Sequence, residues 1–551
     1  MTLVKDKIMK KFKNLGLLFV VLIGISATTI NNDKLYEISK NIEIFVNVYK
    51  ELNANYVDDL DPNQLMRIGI DAMVNSLDPY TNYISEAQVE SYRISTDGKY
   101  EGMGALVRKV DEYVTIVEVY ENSAATEAGL LAGDQIIAIE GKSTKNKSRA
   151  DVTTFFRGVP GTKVRLKIKR PNVPEFDVDL TRGEVTIPNV PYSGFVADDI
   201  GYVALTTFTP NAGKNIRKAI RELKNENNNI KGLILDLRSN GGGLLKEAIS
   251  VSNIFIPQNV ECVSVRSKVI ERDESYKTMA TPLDLEIPLV VLINKTSASA
   301  SEIVSGVIQD YDRGVLMGQR SYGKGLVQNT KDVGYNSRVK LTTSKYYIPS
   351  GRCIQSVEYE NGEPVDIPDD KRSKFKTKAG RTVLDGGGVS PDVVLVKNPN
   401  PEILDSLRSN NIIFKYVTET VAKMDTSQKE LEEIVFTDFE DFKKFSTDLG
   451  FEFNSKNQNL LKELKANFEK TDKKDLALDI SQIDSKITAS NKEAIDKYKK
   501  IIIDDIEVEI ATRKHFQKGK VFQKLKNDSE IVAAVNLLND ESKYNSLIKN
   551  N

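Results

Sequence analysis

The sequence predicts a multidomain α+β protein whose parts follow one another as helical, β-rich, mixed α/β and helical. The chain has 551 residues, which is enough for several domains that each bury a core. Residues 184–398 alternate apolar strand-like runs with helical patterns, as mixed α/β layers do. Residues 31–98 and 399–551 instead repeat apolar side chains at three- and four-residue spacing, which is the period of an α-helix.

Charge and composition exclude several functional classes. The 77 Lys and Arg residues balance 78 Asp and Glu residues, and no basic stripe with interleaved aromatics stands out. We therefore expect no nucleic-acid partner. With His515 as the one histidine and two scattered cysteines, Cys262 and Cys353, the sequence predicts neither a metal site nor a cofactor. The cysteines allow one disulfide in an oxidising compartment, and the sequence leaves their pairing open.

Residues 1–30 have the layout of an export signal. Lysines are frequent from Lys5 to Lys13, an apolar run follows from Leu15 to Ile25, and Ser26-Ala27-Thr28-Thr29 offers small residues for cleavage. The run is short for a spanning helix, but extension through Ile30 leaves an uncleaved membrane anchor open. We expect export to the cell envelope, foremost the periplasm, with the protein either soluble or tethered by its N-terminus.

Residues 31–98 form the predicted helical N-terminal region. Ile38, Ile42 and Phe45 recur on one helical face, and a second helix is expected to begin near Asp61-Pro62. Such a stripe packs either into an internal core or against a second copy of the chain. We expect the core, while a homodimer stays open.

Residues 99–183 form the predicted β-rich domain. Its segments Ala128-Gly129-Leu130 and Gly133-Asp134-Gln135-Ile136 resemble a PDZ domain. The resemblance implies a module that binds a peptide C-terminus as an added strand and holds its carboxylate with backbone N–H groups. Gly102, Met103, Gly104 and Ala105 would form this cradle. The alternative is that the glycines only permit a tight turn.

Residues 184–398 contain the candidate catalytic residues. An apolar run, Val290–Ile293, leads through Ser297-Ala298-Ser299-Ala300-Ser301-Glu302 into a helical pattern. The first N–H groups of a helix have no internal partner, so a serine nucleophile gains most from the backbone there. Lys324 follows between two glycines. Ser299 and Glu302 also fit a capping box, in which the serine only caps the helix.

Gly318 and Gly323-Lys324 nearly match a phosphate-binding loop. Gly325 stands where Ser or Thr must hold Mg²⁺, and the following Leu326-Val327-Gln328 is extended where that loop needs a helix. The sequence therefore excludes this motif.

Ser-Ala-Ser-Ala-Ser-Glu at 297–302 and Tyr-Gly-Lys-Gly-x-Val-Gln at 322–328 together resemble the carboxyl-terminal processing, or tail-specific, proteases. The resemblance covers roughly residues 35–398 and implies a Ser-Lys protease core of the crotonase/ClpP-like class. It implies that Ser299 is the nucleophile, Lys324 its base and Gln328 the residue that orients the lysine.

The histidine count supports a lysine base. A Ser-His-Asp triad needs its imidazole beside the serine, whereas His515 lies in a charged C-terminal segment far from any apolar strand. A trypsin-like PDZ protease is therefore excluded. A free lysine has a pKa near ~10.4, so we expect burial to lower the pKa of Lys324 toward working pH.

The oxyanion hole is predicted from a second loop. Residues 232–237 are typical of a buried strand and lead into Ser239-Asn240-Gly241-Gly242-Gly243, whose bare N–H groups suit an oxyanion. We expect Gly242 N–H and Ala300 N–H to be the donors, with a tight turn as the alternative role of the glycines. The family has Asn-Pro-Gly-Gly here, so Gly241 replaces a proline and the loop should be less rigid.

The resemblance therefore implies an exported serine endopeptidase that recognises protein C-terminal tails through its PDZ domain. Its partners would be proteins or peptides with free C-termini, and an adaptor protein stays open. The alternative is a catalytically silent PDZ adaptor or chaperone, which predicts loss of the dyad that this chain retains. An arginine at the position of Arg157 has been linked to activation in the family, and a surface ion pair is its alternative role. Residues 399–551 indicate helices but no function.

Overall fold

The computed structural model describes residues 32–86, 88–89, 92, 98–156, 158–355, 357–360, 363–366, 368–396, 399–424, 430–469 and 477–549. The predicted export signal and Arg157 thus lie outside the described residues. Within them, no helix combines the length and the apolarity that crossing a membrane requires. The chain divides into two compact units, Met1–Tyr83 and Ile84–Asn551.

In its described part, the N-terminal unit consists of helices α1 (Asn32–Asn55) and α2 (Pro62–Asn75), with strand β1 (Asn82–Ile84) at the junction of the units. The Asp61 side chain caps α2 by accepting from its first N–H groups, and Pro62 occupies the first helical position. Ile38, Ile42 and Phe45 of α1 are each about half exposed. The expectation that this stripe is internal core is therefore wrong, because one short helix beside α1 offers too little surface to cover it.

The β-rich domain is an antiparallel sheet with two short helices. Its elements are β2 (Lys99–Gly102), β3 (Ala105–Val110), β4 (Tyr113–Val119), α3 (Ala124–Glu127), β5 (Gln135–Ile139), β6 (Lys142–Ser143), α4 (Arg149–Thr154), β7 (Lys163–Lys169), β8 (Phe176–Thr181) and β9 (Gly183–Thr186). The sheet has the order β3-β4-β5-β7-β8, β6 pairs with β5, and β2 pairs with β9. Val164, Leu166 and Ile168 of β7 are buried while the residues between them are exposed, so one face covers the core.

The α/β core is a mostly parallel sheet between two helical layers. Its strands, in the spatial order of the sheet, are β10 (Ser193–Ala197), β11 (Ile200–Ala204), β12 (Gly232–Asp236), β15 (Leu289–Ile293), β16 (Val315–Gly318) and β23 (Val393–Val394). Only β10 runs antiparallel to its neighbour. Strands β12 and β15 are buried along their whole length, as a sheet with two covered faces requires.

One face of this sheet is covered from within the core, and the other from the C-terminal region. Helices α5 (Ala212–Glu226), α6 (Leu245–Ser252) and α7 (Ala300–Asp310) cover the first face. Helices near the end of the chain, α14 (Ser529–Asn539) and α15 (Glu541–Ile548), pack on the second. The predicted boundary at residue 398 therefore separates segments of sequence that share one hydrophobic core.

A second, antiparallel sheet lies beside the α/β core. Its strands are β13 (Glu261–Ser267), β14 (Glu274–Lys277), β17 (Leu326–Gly334) and β18 (Ser337–Tyr347), with β13 between β14 and β18. Hairpins β19 (Val357–Glu360) with β20 (Glu363–Asp366) and β21 (Lys374–Lys376) with β22 (Thr382–Leu384) follow. Cys262 on β13 and Cys353 after β18 are both free thiols.

The C-terminal region is helical, as predicted. Its helices before α14 are α8 (Glu402–Ser409), α9 (Ile412–Val421), α10 (Phe439–Asp448), α11 (Lys456–Glu469), α12 (Ala477–Lys497) and α13 (Lys499–Leu525). This region also contacts the β-rich domain: Lys415 pairs with Asp111 at 2.8 Å, and Gln517 and Lys520 of α13 bind Glu118 at 3.0 and 3.2 Å. It therefore joins the β-rich domain to the α/β core.

Candidate active site

Ser299 lies at a sharp turn between strand β15 and helix α7. Its φ of 57° and ψ of −112° fall outside the regions that non-glycine residues ordinarily adopt. Such a conformation persists only where the surroundings fix the residue. The turn (residues 297–300, the serine turn) places the half-buried Ser299 at the N-terminus of a fully buried helix, where unpaired N–H groups favour negative charge.

The two neighbouring serines have structural contacts. Ser297 Oγ donates to the Leu237 carbonyl at 2.8 Å and accepts from Asn294 N–H at 2.9 Å. Ser301 Oγ donates to the Asn240 carbonyl at 2.8 Å. Both serines are fully buried, so Ser299 is the partly exposed hydroxyl of the motif.

Glu302 joins the serine turn to the loop that contains Lys324 (residues 321–325, the lysine loop). Its carboxylate is fully buried and accepts hydrogen bonds from Ser299 N–H (2.8 Å), Lys324 N–H (2.8 Å), Gly323 N–H (2.6 Å) and Ser321 Oγ (2.5 Å). Burial raises the pKa of Glu302 above its ordinary value, although these donors oppose the shift. The bond from Ser299 N–H is the glutamate half of the capping box. The other bonds show that this residue does more than cap a helix.

Tyr346 on β18 is a second tie between the same two segments. It is buried, and its hydroxyl donates to the Ser299 carbonyl at 3.2 Å and to the Lys324 carbonyl. The lysine side chain is half-buried. Tyr346 could not be recognised as a site residue from the sequence, because its only signal there is a place in an alternating strand.

The glycine loop (residues 239–243) lies directly on the serine turn. Gly242 has a φ of 99°, and a Cβ built there would lie 2.8 Å from Ser299 Cβ and 2.9 Å from Ala300 N. Only glycine fits at this position without displacing the nucleophile. The structure therefore brings the two predicted oxyanion donors, Gly242 and Ala300, together.

The two donors differ in their present contacts. Gly242 N–H donates to Asn240 Oδ1 at 2.9 Å, whereas Ala300 N–H donates to no acceptor within the described residues. Asn240 is fully buried and also ties the loop to the serine turn, because its carbonyl accepts from Ala298 N–H at 3.0 Å. Ala300 N–H can therefore donate to an oxyanion in this conformation. Gly242 N–H can do so only after its hydrogen bond to Asn240 Oδ1 breaks.

Gln328 lies on β17, beyond the lysine loop. Its Nε2 donates to Thr342 Oγ1 on β18 at 3.3 Å. This contact fixes the amide across the hairpin. The role that the resemblance implied, orientation of Lys324, stays a prediction.

The predicted carboxylate cradle is a turn between strands β2 and β3. Gly104 has a φ of 77°, its carbonyl accepts from Ser123 Oγ at 3.1 Å, and the Met103 carbonyl accepts from Ala125 N–H at 2.7 Å. The N–H groups of Met103 and Gly104 donate to no acceptor among the described residues. Strand β3, which starts at Ala105, also has one edge that no described strand covers. The tight-turn alternative explains the glycine but not these unused donors.

His515 is buried within helix α13 of the charged C-terminal region. The helix is interrupted there, with non-helical angles at His515 (φ −131°) and Phe516 (φ 55°). The histidine borders a cavity of about 620 Å³ whose other lining residues belong to strand β4, the turns after it and the C-terminal region. The serine turn does not contribute to that lining, in keeping with the exclusion of a His-based triad.

Models of known families match three of the predicted parts of the chain. Peptidase family S41 matches residues 199–362, a PDZ domain matches 115–170, and the helical domain described as "Probable PDZ-protease, C-terminal helical domain" matches 403–538. A carboxy-terminal-processing protease of Bartonella bacilliformis is 33% identical over 371 residues, which are 67% of this chain and 84% of that protein. The chain belongs to the carboxy-terminal processing proteases of family S41.

Other relatives have the same description. The carboxy-terminal processing protease CtpA of Bacillus subtilis is 33% identical over 324 residues, 58% of this chain and 68% of that protein. The solved structure of a photosystem II D1 C-terminal processing protease aligns with 66% of this chain and 94% of its own, at 26% identity and a TM-score of 0.34. Family membership confirms the predicted serine peptidase with a PDZ domain and does not support the silent adaptor.

Proposed function

We propose that this S41 protease cleaves peptide bonds with a Ser299–Lys324 dyad. The observation that carries the proposal is the pair of ties between the two segments, since Glu302 and Tyr346 each bind the backbone of both residues. Ser299 Oγ attacks the substrate carbonyl while the Lys324 amine takes its proton, and the resulting ammonium gives that proton to the leaving amine as the peptide C–N bond breaks. The acyl-enzyme is then hydrolysed by water, with Lys324 again the base. Gln328 orients Lys324 in this proposal.

Stabilisation of the oxyanion comes from Ala300 N–H and Gly242 N–H. Ala300 N–H lies at the start of a buried helix and has no acceptor within the described residues, which supports the first donor. Gly242 N–H becomes the second when substrate arrives and the Asn240 amide releases it. A hole that is completed by substrate suits a protease that must spare folded proteins.

Labelling with a covalent acylating probe, followed by mass-spectrometric mapping, tests the dyad. We expect the label on Ser299, and we expect Ser299→Ala to lose both labelling and cleavage while it keeps its folding and its peptide binding. Removal of a catalytic serine lowers kcat by about 10⁶-fold in a comparable hydrolase. A label on Ser297 or Ser301, or wild-type cleavage by the variant, would contradict the proposal.

The substrates we propose are proteins or peptides with a free C-terminus, held along β3 with the carboxylate at residues 102–105. The unused N–H groups of Met103 and Gly104 support this placement. In calorimetric titrations of the full chain, a peptide with a free carboxylate should bind more tightly than the same peptide amidated. Equal affinities would remove this role from the β-rich domain.

Location and assembly remain predictions from the sequence. The lysine-rich and apolar residues 1–30 support export to the periplasm, with or without an N-terminal membrane tether. The sequence neither predicts nor excludes the binding of an adaptor protein. The exposed Ile38, Ile42 and Phe45 support a homodimer through α1. Sedimentation of the chain with and without Phe45→Ser tests that assembly, and a monomer in both samples would contradict it.

A further inference from the structure

Arg238 stands immediately before the glycine loop, in a cluster of carboxylates from two distant parts of the chain. Its guanidinium lies 2.6 Å from Asp236 at the end of β12, and 2.7 Å from both Asp528 and Glu530. Asp528 caps helix α14, and Glu530 lies in the first turn of that helix. Both acidic residues therefore come from the C-terminal helical region.

The two sides of the guanidinium have different partners. Asp236 accepts from Nε and Nη2, whereas Nη1 contacts Asp528 Oδ2 and Glu530 Oε2. Asp236 also accepts from Tyr202 OH at 2.8 Å and from Arg238 N–H at 2.9 Å, so its oxygens are already engaged. The acidic residues of α14 thus supply a contact that Asp236 cannot replace.

Charge explains why this contact matters. Burial alone would lower the pKa of Arg238, but the charge and hydrogen bond of Asp236, then the charge of Asp528 and the hydrogen bond of Glu530, more than offset it and raise the pKa. The arginine and glutamate side chains are only 13% and 7% exposed, so salt and water screen the attraction weakly. Loss of an acidic partner leaves a buried cation with fewer acceptors, which weakens the hold on the Nη1 side of the guanidinium.

Movement of Arg238 reaches the active site through a short path. Ser239 N–H donates to Asn294 Oδ1 at 2.9 Å, and Asn240 contacts Gly242 N–H, Ala298 N–H and Ser301 Oγ. Arg238 is therefore two residues from the asparagine that holds the glycine loop on the serine turn.

We propose that Glu530 and Asp528 are positioning residues, which hold the glycine loop in its catalytic place through Arg238. This inference rests on the proposed oxyanion role of that loop. It assigns the C-terminal helical region a part in turnover, separate from the recognition of substrate by the PDZ domain. The region completes the active site from the face of the sheet opposite to helix α7.

The test compares Glu530→Ala with Asp505→Ala in the full chain. Asp505 lies in α13 of the same region and pairs with Arg408, so this control removes an ion pair without reaching Arg238. The measurements are kcat and KM for a peptide with a free C-terminus, the rate of labelling by an acylating probe, and the unfolding temperature. Glu530→Ala should lower kcat and the labelling rate by about tenfold or more, with KM within about twofold, because it displaces an oxyanion donor. The control should change neither rate.

Glu530→Gln separates positioning from folding, because it keeps an oxygen acceptor for Nη1 while losing the charge. We expect its kcat to lie between those of the wild type and Glu530→Ala, at the unfolding temperature of the wild type. If Glu530→Ala does not fold, a lowered kcat in Glu530→Gln still supports the proposal. A kcat in Glu530→Ala or Glu530→Gln equal to that of the control would overturn it. Failure of the dyad itself would appear separately, as cleavage by Ser299→Ala.

Discussion

The serine turn and the glycine loop touch each other, yet different parts of the molecule hold them. The serine turn is fixed by Glu302 of the α/β core and by Tyr346 of the neighbouring antiparallel sheet, which are both buried. The glycine loop contains three consecutive glycines, and the arginine before it is held by helix α14 of the C-terminal region. The nucleophile and the Ala300 N–H group are thus held by contacts near the serine turn, whereas the Gly242 side also has a contact, through Arg238, from the C-terminal region.

Lys324→Arg should have the largest effect on activity, because it removes the proposed base of Ser299. Arginine stays protonated and cannot accept the proton of Ser299, so we expect activity to fall below about one thousandth of wild type. Lys295→Arg, at an exposed lysine close to the serine turn, is the matched control and should keep wild-type activity. Near-normal turnover by Lys324→Arg would exclude the dyad and return a carboxylate or His515 to consideration as base.

Glu302→Gln should have the next largest effect. In the variant, the NH₂ group of the glutamine faces some of the N–H and O–H donors that now bind the Glu302 carboxylate, and these donors lose their acceptor. We therefore expect the free energy of unfolding to fall by about 2–4 kcal/mol and kcat to fall about a hundredfold. Urea unfolding and steady-state kinetics measure the two losses. A variant with wild-type stability and activity would show that the ties through Glu302 are dispensable.

Glu302→Gln should also change how the stability of the protein depends on pH. Burial raises the folded-state pKa of Glu302, so the folded chain binds the proton more tightly than the unfolded chain. The free energy of unfolding should then decrease as pH rises from the ordinary glutamate pKa through the raised one. Glu302→Gln removes this contribution, and its difference from wild type should change across that window. Parallel curves for the two proteins would contradict the assignment.

Tyr346→Phe should have a moderate effect, because it removes one of the two ties and leaves the other. Loss of the hydroxyl costs about 1 kcal/mol of stability, and we expect about a tenfold loss of kcat as the Ser299 and Lys324 backbones separate. Tyr347→Phe, on the next residue of β18, is the matched control. Equal kinetics for the two variants would mean that Glu302 alone sets the geometry.

The sequence predicted the parts of the site that lie within short motifs. Ser299, Lys324 and Gly242 stand in contiguous segments whose residue types already indicate a nucleophile, a base and bare N–H groups. The contact of Arg238 with Glu530 spans 292 positions, and Tyr346 reaches the site from a strand with an ordinary alternating pattern. The spacing at which apolar side chains recur shows which face of a helix or strand is apolar, but not which distant element packs against that face. For the same reason, the half-exposed stripe of α1 was predicted wrongly.

Gly241→Pro should have the smallest effect, and it tests whether the glycine loop is the adaptable side of the site. A Cβ at Gly241 meets nothing within 4 Å, so the proline that the family resemblance places here has room. Proline restricts the unfolded chain and should raise the free energy of unfolding by about 0.4–1 kcal/mol where the backbone accepts it. We expect kcat to stay equal or rise, since a less mobile loop needs less ordering when substrate binds.

Gly241→Pro should also make activity less sensitive to Glu530→Ala, because a stiffer loop depends less on its external support. A tenfold loss of kcat in Gly241→Pro, or an unchanged effect of Glu530→Ala in its background, would contradict this expectation. It would show that the loop gains nothing from proline and that Gly241, the first of its three glycines, has a conformational role of its own.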